Sequence, residues 1–180
     1  IGTGKIGETV IKHLGGFGCR ILAYDLYEKD SVKQFAEYVS LERLYRESDI
    51  VTLHIPGMEE NYHMLNAAVF EKMKDGVILI NAARGMLVDT DALIAALESK
   101  KVGFAALDTV EEEHGLYYLN RERDIILNQH RAVLSAFTNV ILSPHMAFYT
   151  GQAVSDMVGK TVEAIVRLSE GKESPLEVRI

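Results

Sequence analysis

The sequence predicts an α/β fold, a doubly wound domain around a mostly parallel sheet, and three observations carry that prediction. Helical and strand-like patterns alternate along the whole chain. A glycine-rich turn, Gly2-Thr3-Gly4-Lys5-Ile6-Gly7, stands at its start, and Asp25 follows eighteen residues after Gly7. Polar residues able to do chemistry directly follow the strand-like runs: Asp25, His54, Asn81, Arg84, Asp108 and His145. In a parallel sheet, ligands bind beyond the carboxyl ends of the strands, near the switch in strand order, so these positions are where a site would form.

Taken in order, Lys5 to Phe17 reads as a helix and Cys19 to Tyr24 as an apolar strand ending at Asp25. A short helix at Ser31–Ala36, a minimal strand at Tyr38-Val39 and a second short helix at Leu41–Glu47 follow. Ile50 to Leu53 is a β-branched strand stopped by His54-Ile55-Pro56-Gly57. Asn66 is a fitting N-cap for a helix Ala67–Met73, because its side chain can accept from an otherwise unpaired first-turn N–H. Val77 to Ile80 is the clearest buried strand, and Asp89 or Thr90 caps the helix Asp91–Ser99. Val102 to Leu107 is a strand weakened by Gly103. The section from Asp108 to Arg131 is mostly polar and without periodicity, a length that inside a compact domain usually serves function. Val140 to Leu142 is one more strand, closed by Ser143-Pro144. Gly151 to Leu168 is the longest helical pattern, with Val154, Met157, Val158, Thr161, Val162, Ile165 and Leu168 on one stripe. Gly171 stops it, and Pro175–Ile180 reads as an extended tail.

Composition narrows the classes. A chain of 180 residues suits one domain with a fragment of a second. A formal net charge of −7 argues against a nucleic-acid or anionic-membrane surface, while leaving room for a small anion held by a local arginine. No apolar run approaches the ~20 residues of a membrane span, and the start lacks the basic and apolar regions of a signal peptide. A single cysteine, Cys19, allows no internal disulfide and fits a reducing compartment; its apolar surroundings predict a buried thiol. The histidines show no i, i+4 pairing or cysteine partner, so no metal site is expected, and no G-x-S-x-G elbow or Walker A turn is present.

The chemistry-bearing residues each carry two readings. Closely spaced glycines let backbone approach a pyrophosphate, and the following helix offers it unpaired N–H groups and a positive dipole end. Asp25 can accept from a ribose diol, which makes the pattern a dinucleotide site; otherwise it is a structural turn with a solvated strand-end acid. Arg84, in Asn81-Ala82-Ala83-Arg84-Gly85, can hold a carboxylate bidentately and polarise a neighbouring carbonyl, or simply cap carbonyls at the surface. His145 can exchange the proton that accompanies a hydride, or be a satisfied histidine at a loop start. One of Glu111, Glu112 and Glu113 could pair with His145 and orient its ring, or all three could form a solvated acidic run.

These motifs together resemble the D-isomer-specific 2-hydroxyacid dehydrogenases, over nearly the whole chain. The resemblance rests on Gly2 to Gly7, on Val51-Thr52-Leu53-His54-Ile55-Pro56 with Asn61 and His63, on Ile80 to Asp89, on Ala106-Leu107-Asp108 with Glu113, and on Ser143-Pro144-His145. The section after Asp108 and the run His145-Met146-Ala147-Phe148-Tyr149-Thr150 look most like the D-lactate dehydrogenase branch, which includes D-2-hydroxyisocaproate dehydrogenases.

The resemblance implies a Rossmann-type coenzyme domain that takes NAD and moves a hydride between NADH and a 2-oxo acid or D-2-hydroxy acid. It implies that Arg84 binds the substrate carboxylate and carbonyl, that His145 is the acid and base, and that Glu113 is its partner. Gly2, Gly4, Lys5, Ile6 and Gly7 would follow the pyrophosphate, with Asp25 on the adenosine ribose. Ile55, Pro56 and Asn61 would line the adenine and ribose side, and Ala82, Ala83, Arg84 and Asp108 the nicotinamide end. Asp25 favours NAD over NADP, since a carboxylate repels a 2′-phosphate. Tyr149, with Phe148, would face the substrate, or pack as core at a helix start. A full family member is nearly twice as long. The expectation is therefore an NAD-binding domain over 1–170 with its first strand truncated, and residues 171–180 starting a return to a substrate-binding domain absent here. The truncated chain alone would be inactive. A cytoplasmic homodimer is expected of the parent, and an NAD-sensing corepressor on the same fold is the competing reading.

Overall fold

A computed structural model describes residues 1–117, 120 and 128–176. It divides into two units, Ile1–His145 and Met146–Ile180.

Among the described residues of the first unit, β-branched and leucine-rich runs form six short parallel strands. β1 (Leu22–Ala23) pairs with β2 (Glu37–Tyr38), and β3 (Ile50–Leu53), β4 (Val77–Asn81), β5 (Val102–Leu107) and β6 (Val140–Leu142) lie side by side in that order. The backbone of Ile1 and Gly2 joins the two sheets: Gly2 N–H donates to the Tyr24 carbonyl, and His54 N–H donates to the Ile1 carbonyl. The order is thus β2, β1, residues 1–2, β3, β4, β5, β6, with the direction of winding reversing beside Gly2. That reversal is the crevice where a doubly wound sheet holds its ligand.

Helices α1 (Lys5–Leu14), α2 (Asp30–Lys33), α3 (Leu41–Glu47), α4 (Ala67–Lys72), α5 (Thr90–Glu98) and α6 (Gln129–Ala136) form the crossovers. Side chains stop four of them at the front: Ser40, Asn66, Asp89 and Asn128 each accept from an N–H of the first turn. The main core gathers Val51, Leu53, Val77, Leu79, Val102, Ala105 and Leu107 from the strands with Leu44, Phe70, Leu93, Leu97 and Leu134 from the helices. A smaller cluster, Ile11, Ala23, Val32 and Ala36, sits under α1 and α2.

The structure trims or moves several expected elements. The strand foreseen from Cys19 shrinks to Leu22–Ala23, and Cys19 is exposed rather than buried, its Sγ lying 3.5 Å from the Leu14 carbonyl. α1 ends at Leu14 and passes into a single 3-10 turn, Gly15–Phe17, that stops at Gly18 with φ 69°. The short second helix is Asp30–Lys33 and the strand after it Glu37–Tyr38, each a little earlier than the sequence suggests. The polar section after Asp108 runs into α6, which begins at Gln129 and continues past Arg131, and which the sequence pattern does not reveal.

In the second unit, α7 (Gly151–Ser169) is capped by Thr150 and ended by Gly171 with φ 71°. Its expected stripe forms, but Met157, Val158, Val162, Ile165 and Leu168 are exposed. Of the extended tail, residues 177–180 lie outside the described residues. No helix among the described residues is long and apolar enough to cross a membrane.

Candidate active site

The glycine turn is fixed by close backbone approach. Gly2 has φ 93°, and a Cβ there would stand 2.5 Å from the His54 carbonyl oxygen; a Cβ on Gly7 would run into the Gly2 carbonyl oxygen. Only glycine lets both contacts form. Gly4 instead faces open space. It is the N-cap of α1, and no side chain satisfies the first-turn N–H groups there, in contrast to α3–α6. Lys5 and Ile6 are exposed on that turn. An uncapped helix start with room in front of it fits an anionic pyrophosphate.

Asp25 staples this turn. Its Oδ2 accepts from Thr3 N–H at 2.6 Å and from Thr3 Oγ1 at 3.0 Å, and its Oδ1 accepts from Tyr27 N–H at 3.1 Å. Tyr38 completes the network by donating its hydroxyl to Thr3 Oγ1 at 2.8 Å. Partial burial opposes the charge on Asp25, but the donated hydrogen bonds outweigh it and hold the carboxyl below the usual range. The group stays an anion, with acceptor capacity left for a diol.

Along the same carboxyl edge, His54 ends β3. Burial lowers its pKa to about 4, so it is neutral, with Nε2 3.1 Å from Thr52 Oγ1. Ile55 lies against Gly2, and Pro56 is exposed. Asn61 is engaged in its own loop: Oδ1 accepts from Met58 N–H and Nδ2 donates to the Pro56 carbonyl, both at 2.8 Å. Its place beside an adenosine ribose, implied by resemblance, is thus joined by a structural task.

At the end of β4, Asn81 is buried and shapes the next loop. Its Oδ1 accepts from Ala83 N–H at 3.0 Å, and its Nδ2 donates to the Arg84 carbonyl at 2.8 Å. The sequence marks Asn81 as a polar residue after a strand but carries no local signal of this task. The loop it holds exposes Ala82 and Arg84 and buries Ala83. Arg84 Nη1 donates to the Ala83 carbonyl at 2.7 Å, and its stem rests against Gly57, where a Cβ would stand 3.1 Å from Arg84 Cβ and Cγ.

β5 and β6 bring the remaining groups together. Asp108 is buried; its carboxylate accepts from Ser143 Oγ at 2.5 Å, and its carbonyl accepts from His145 N–H at 2.8 Å. The task visible for the Asp108 carboxylate is thus to fix the end of β6. His145 takes φ 49°, and its Nδ1 lies 2.6 Å from Glu113 Oε1. Of the three glutamates, Glu113 is therefore the partner of His145, while Glu111 pairs with His63 at 2.6 Å. The ring of His145 is thus oriented through Nδ1 by a carboxylate. Phe148 and Tyr149, in the second unit, form an edge-to-face pair and are both exposed, so they are not core packing. No cluster of three or more metal-ligating side chains occurs among the described residues.

Comparison with known proteins fits this geometry. The family model described as D-isomer specific 2-hydroxyacid dehydrogenase, NAD binding domain, matches residues 1–147. The chain belongs to this family. An aromatic 2-oxoacid reductase of Clostridium sporogenes is 47% identical over 163 residues, 90% of this chain and 49% of that protein. A D-lactate dehydrogenase of Lactiplantibacillus plantarum is 41% identical over 180 residues, 99% of this chain and 54% of that one. Among solved structures, a D-lactate dehydrogenase of Treponema pallidum superposes with TM-score 0.94 at 34% identity. One from Lactobacillus jensenii with NAD+ superposes with TM-score 0.91, also at 34% identity. Each match covers 99% of this chain and 54% of the other. The chain thus spans about half the length of the relatives it matches, and it is the coenzyme half of the family fold that they share with it.

Proposed function

We propose that this chain is the coenzyme domain of an NAD-dependent D-2-hydroxyacid dehydrogenase that interconverts a 2-oxo acid and its D-2-hydroxy acid. The observation that carries the reading is the 2.6 Å pair of His145 Nδ1 and Glu113 Oε1, set on the same sheet edge as Arg84 and the glycine turn. Bound NADH would supply the hydride. Gly2, Gly4, Lys5, Ile6 and Gly7 receive the pyrophosphate at the open start of α1, and Asp25 accepts from the adenosine ribose. Ile55, Pro56 and Asn61 border the adenosine, and Ala82, Ala83 and Asp108 border the nicotinamide end.

Arg84 draws in the substrate carboxylate and polarises the adjacent carbonyl. His145 gives a proton to the carbonyl oxygen in reduction and takes it back in oxidation, with Glu113 fixing the ring and balancing its charge. A substrate-facing role for Tyr149 is supported by the family resemblance alone. Residues 1–170 would form the coenzyme domain. The full-length enzyme works as a homodimer in the cytoplasm, an expectation supported by the family resemblance alone. The relatives are named as reductases and dehydrogenases, which supports turnover over dinucleotide sensing.

Steady-state assay of the full-length protein with NADH against pyruvate, phenylpyruvate, branched 2-oxo acids and 2-oxoglutarate tests the reading. Turnover of at least one acid at about 1–10³ per second is expected. NADH binding without turnover on any of them would instead favour a sensor.

A further inference from the structure

The run Glu111-Glu112-Glu113 contains two ordered carboxylates with different partners. Glu113 faces His145. Glu111 points elsewhere: its Oε1 lies 2.6 Å from His63 Nε2, and its Oε2 accepts from Thr90 N–H at 2.9 Å and Thr90 Oγ1 at 2.6 Å. Those donors come from two separate places, the loop after β3 and the first turn of α5. His63 is itself anchored, with φ 50°, its N–H on the Met86 carbonyl at 2.9 Å and its ring stacked on Tyr62 at 3.9 Å. Burial would raise the pKa of Glu111, but the bonds from Thr90 and His63 outweigh it and keep the group ionised.

Between the two carboxylates the backbone has little freedom. Glu112 takes φ 54°, and Glu113 Oε2 folds back to accept from Val110 N–H at 3.2 Å. Gly85 presses on the other side of the same segment, where a Cβ would collide with the Val110 carbonyl. The buried Asn128 side chain makes long contacts, 3.4 and 3.5 Å, to the carbonyls of Glu111 and Glu112. A side chain clamped at Glu111 therefore fixes, two residues on, where the Glu113 carboxylate points.

We propose that Glu111 and His63 are positioning residues: the His63–Glu111–Thr90 clamp holds segment 110–113 so that Glu113 stays against His145. The proposal rests on the reading of Glu113 and His145 given above. It adds that the second histidine–glutamate pair serves the first rather than the overall stability of the fold.

Kinetics of the full-length enzyme on its best 2-oxo acid tests it. Glu111→Ala and His63→Ala are expected to lower kcat by about tenfold to a hundredfold, the cost of a misplacement on the order of 1 Å. The NADH dissociation constant, read by fluorescence titration, should change by less than about twofold. Glu111→Gln keeps an oxygen to accept from Thr90 and an NH2 to face the His63 ring, and should restore most of kcat. The deciding comparison is a double-mutant cycle with Glu113→Gln: once Glu113 has lost its charge, Glu111→Ala should cost little more. Full additivity in that cycle, or wild-type kcat in Glu111→Ala and His63→Ala, would overturn the proposal. If Glu113→Gln itself keeps wild-type kcat, the reading of the active site fails instead. Should Glu111→Ala not fold, His63→Gln in the same cycle gives the answer through the half-buried end of the clamp.

Discussion

The two ends of the candidate site are held by opposite means. At the glycine turn, backbone touches backbone: Gly2 lies against the His54 carbonyl and Gly7 against the Gly2 carbonyl. At the end that holds His145, side chains reach across the sequence: Glu113 to His145 over 32 residues, Ser143 to Asp108 over 35, His63 to Glu111 over 48. The first arrangement fails when an atom is added, the second when an atom is removed. Dinucleotide affinity and turnover should therefore be separable by mutation.

Gly7→Ala is expected to do the most damage at the glycine end. The added methyl meets the Gly2 carbonyl, so NADH affinity should fall by about a hundredfold or the domain should lose its fold. Gly4→Ala, where a Cβ meets nothing, should leave stability nearly unchanged and reduce NADH affinity alone, as measured by titration beside thermal unfolding. Equal behaviour of the two variants would break the contrast between filled and open positions.

Asp25→Ala comes next. It removes the acceptor for Thr3 N–H, Thr3 Oγ1 and Tyr27 N–H. The loss should be about 1–3 kcal/mol of stability, about tenfold in NADH affinity, and a narrower preference for NADH over NADPH. An unchanged cofactor ratio would leave Asp25 as a staple only.

The smallest effect concerns pH. His54 binds its proton near pH 6.5 when unfolded and only near about 4 when buried. The unfolded chain therefore holds more protons between those values, so the stability gained by keeping His54 neutral is full above 6.5 and declines as pH falls towards 4. Asp25 and Glu111, both lowered in the fold, lose their contribution as the pH falls through the carboxylate range. Unfolding midpoints between pH 7.5 and 4.5 should drop by a few degrees, and His54→Gln should flatten the upper part of that drop; a flat profile for the unsubstituted protein would contradict it.

What the sequence disclosed follows the same division. Strands at Ile50–Leu53, Val102–Leu107 and Val140–Leu142 and the helix at Leu41–Glu47 appear with the bounds their residue patterns suggest, because apolar runs and turn residues are local signals. α6 escaped notice because only Leu134 of its eight residues is buried, leaving almost no periodicity to see. Cys19 misled because a short apolar run looks the same whether it precedes a strand or lies within it. Asn81 and His63 stood in plain view, yet their tasks depend on a loop carbonyl and on a carboxylate far along the chain. The pairing of His145 with Glu113, rather than with its neighbours, came from the family resemblance and not from spacing alone.

If His145 moves the proton while the glycine turn and Asp25 hold the coenzyme, turnover and coenzyme binding must part company when His145 is removed. The most direct measurement is kcat and NADH affinity side by side for His145→Ala in the full-length enzyme. A fall in kcat of about 10²–10⁴-fold with NADH binding unchanged is expected. Turnover near the unsubstituted rate would contradict it.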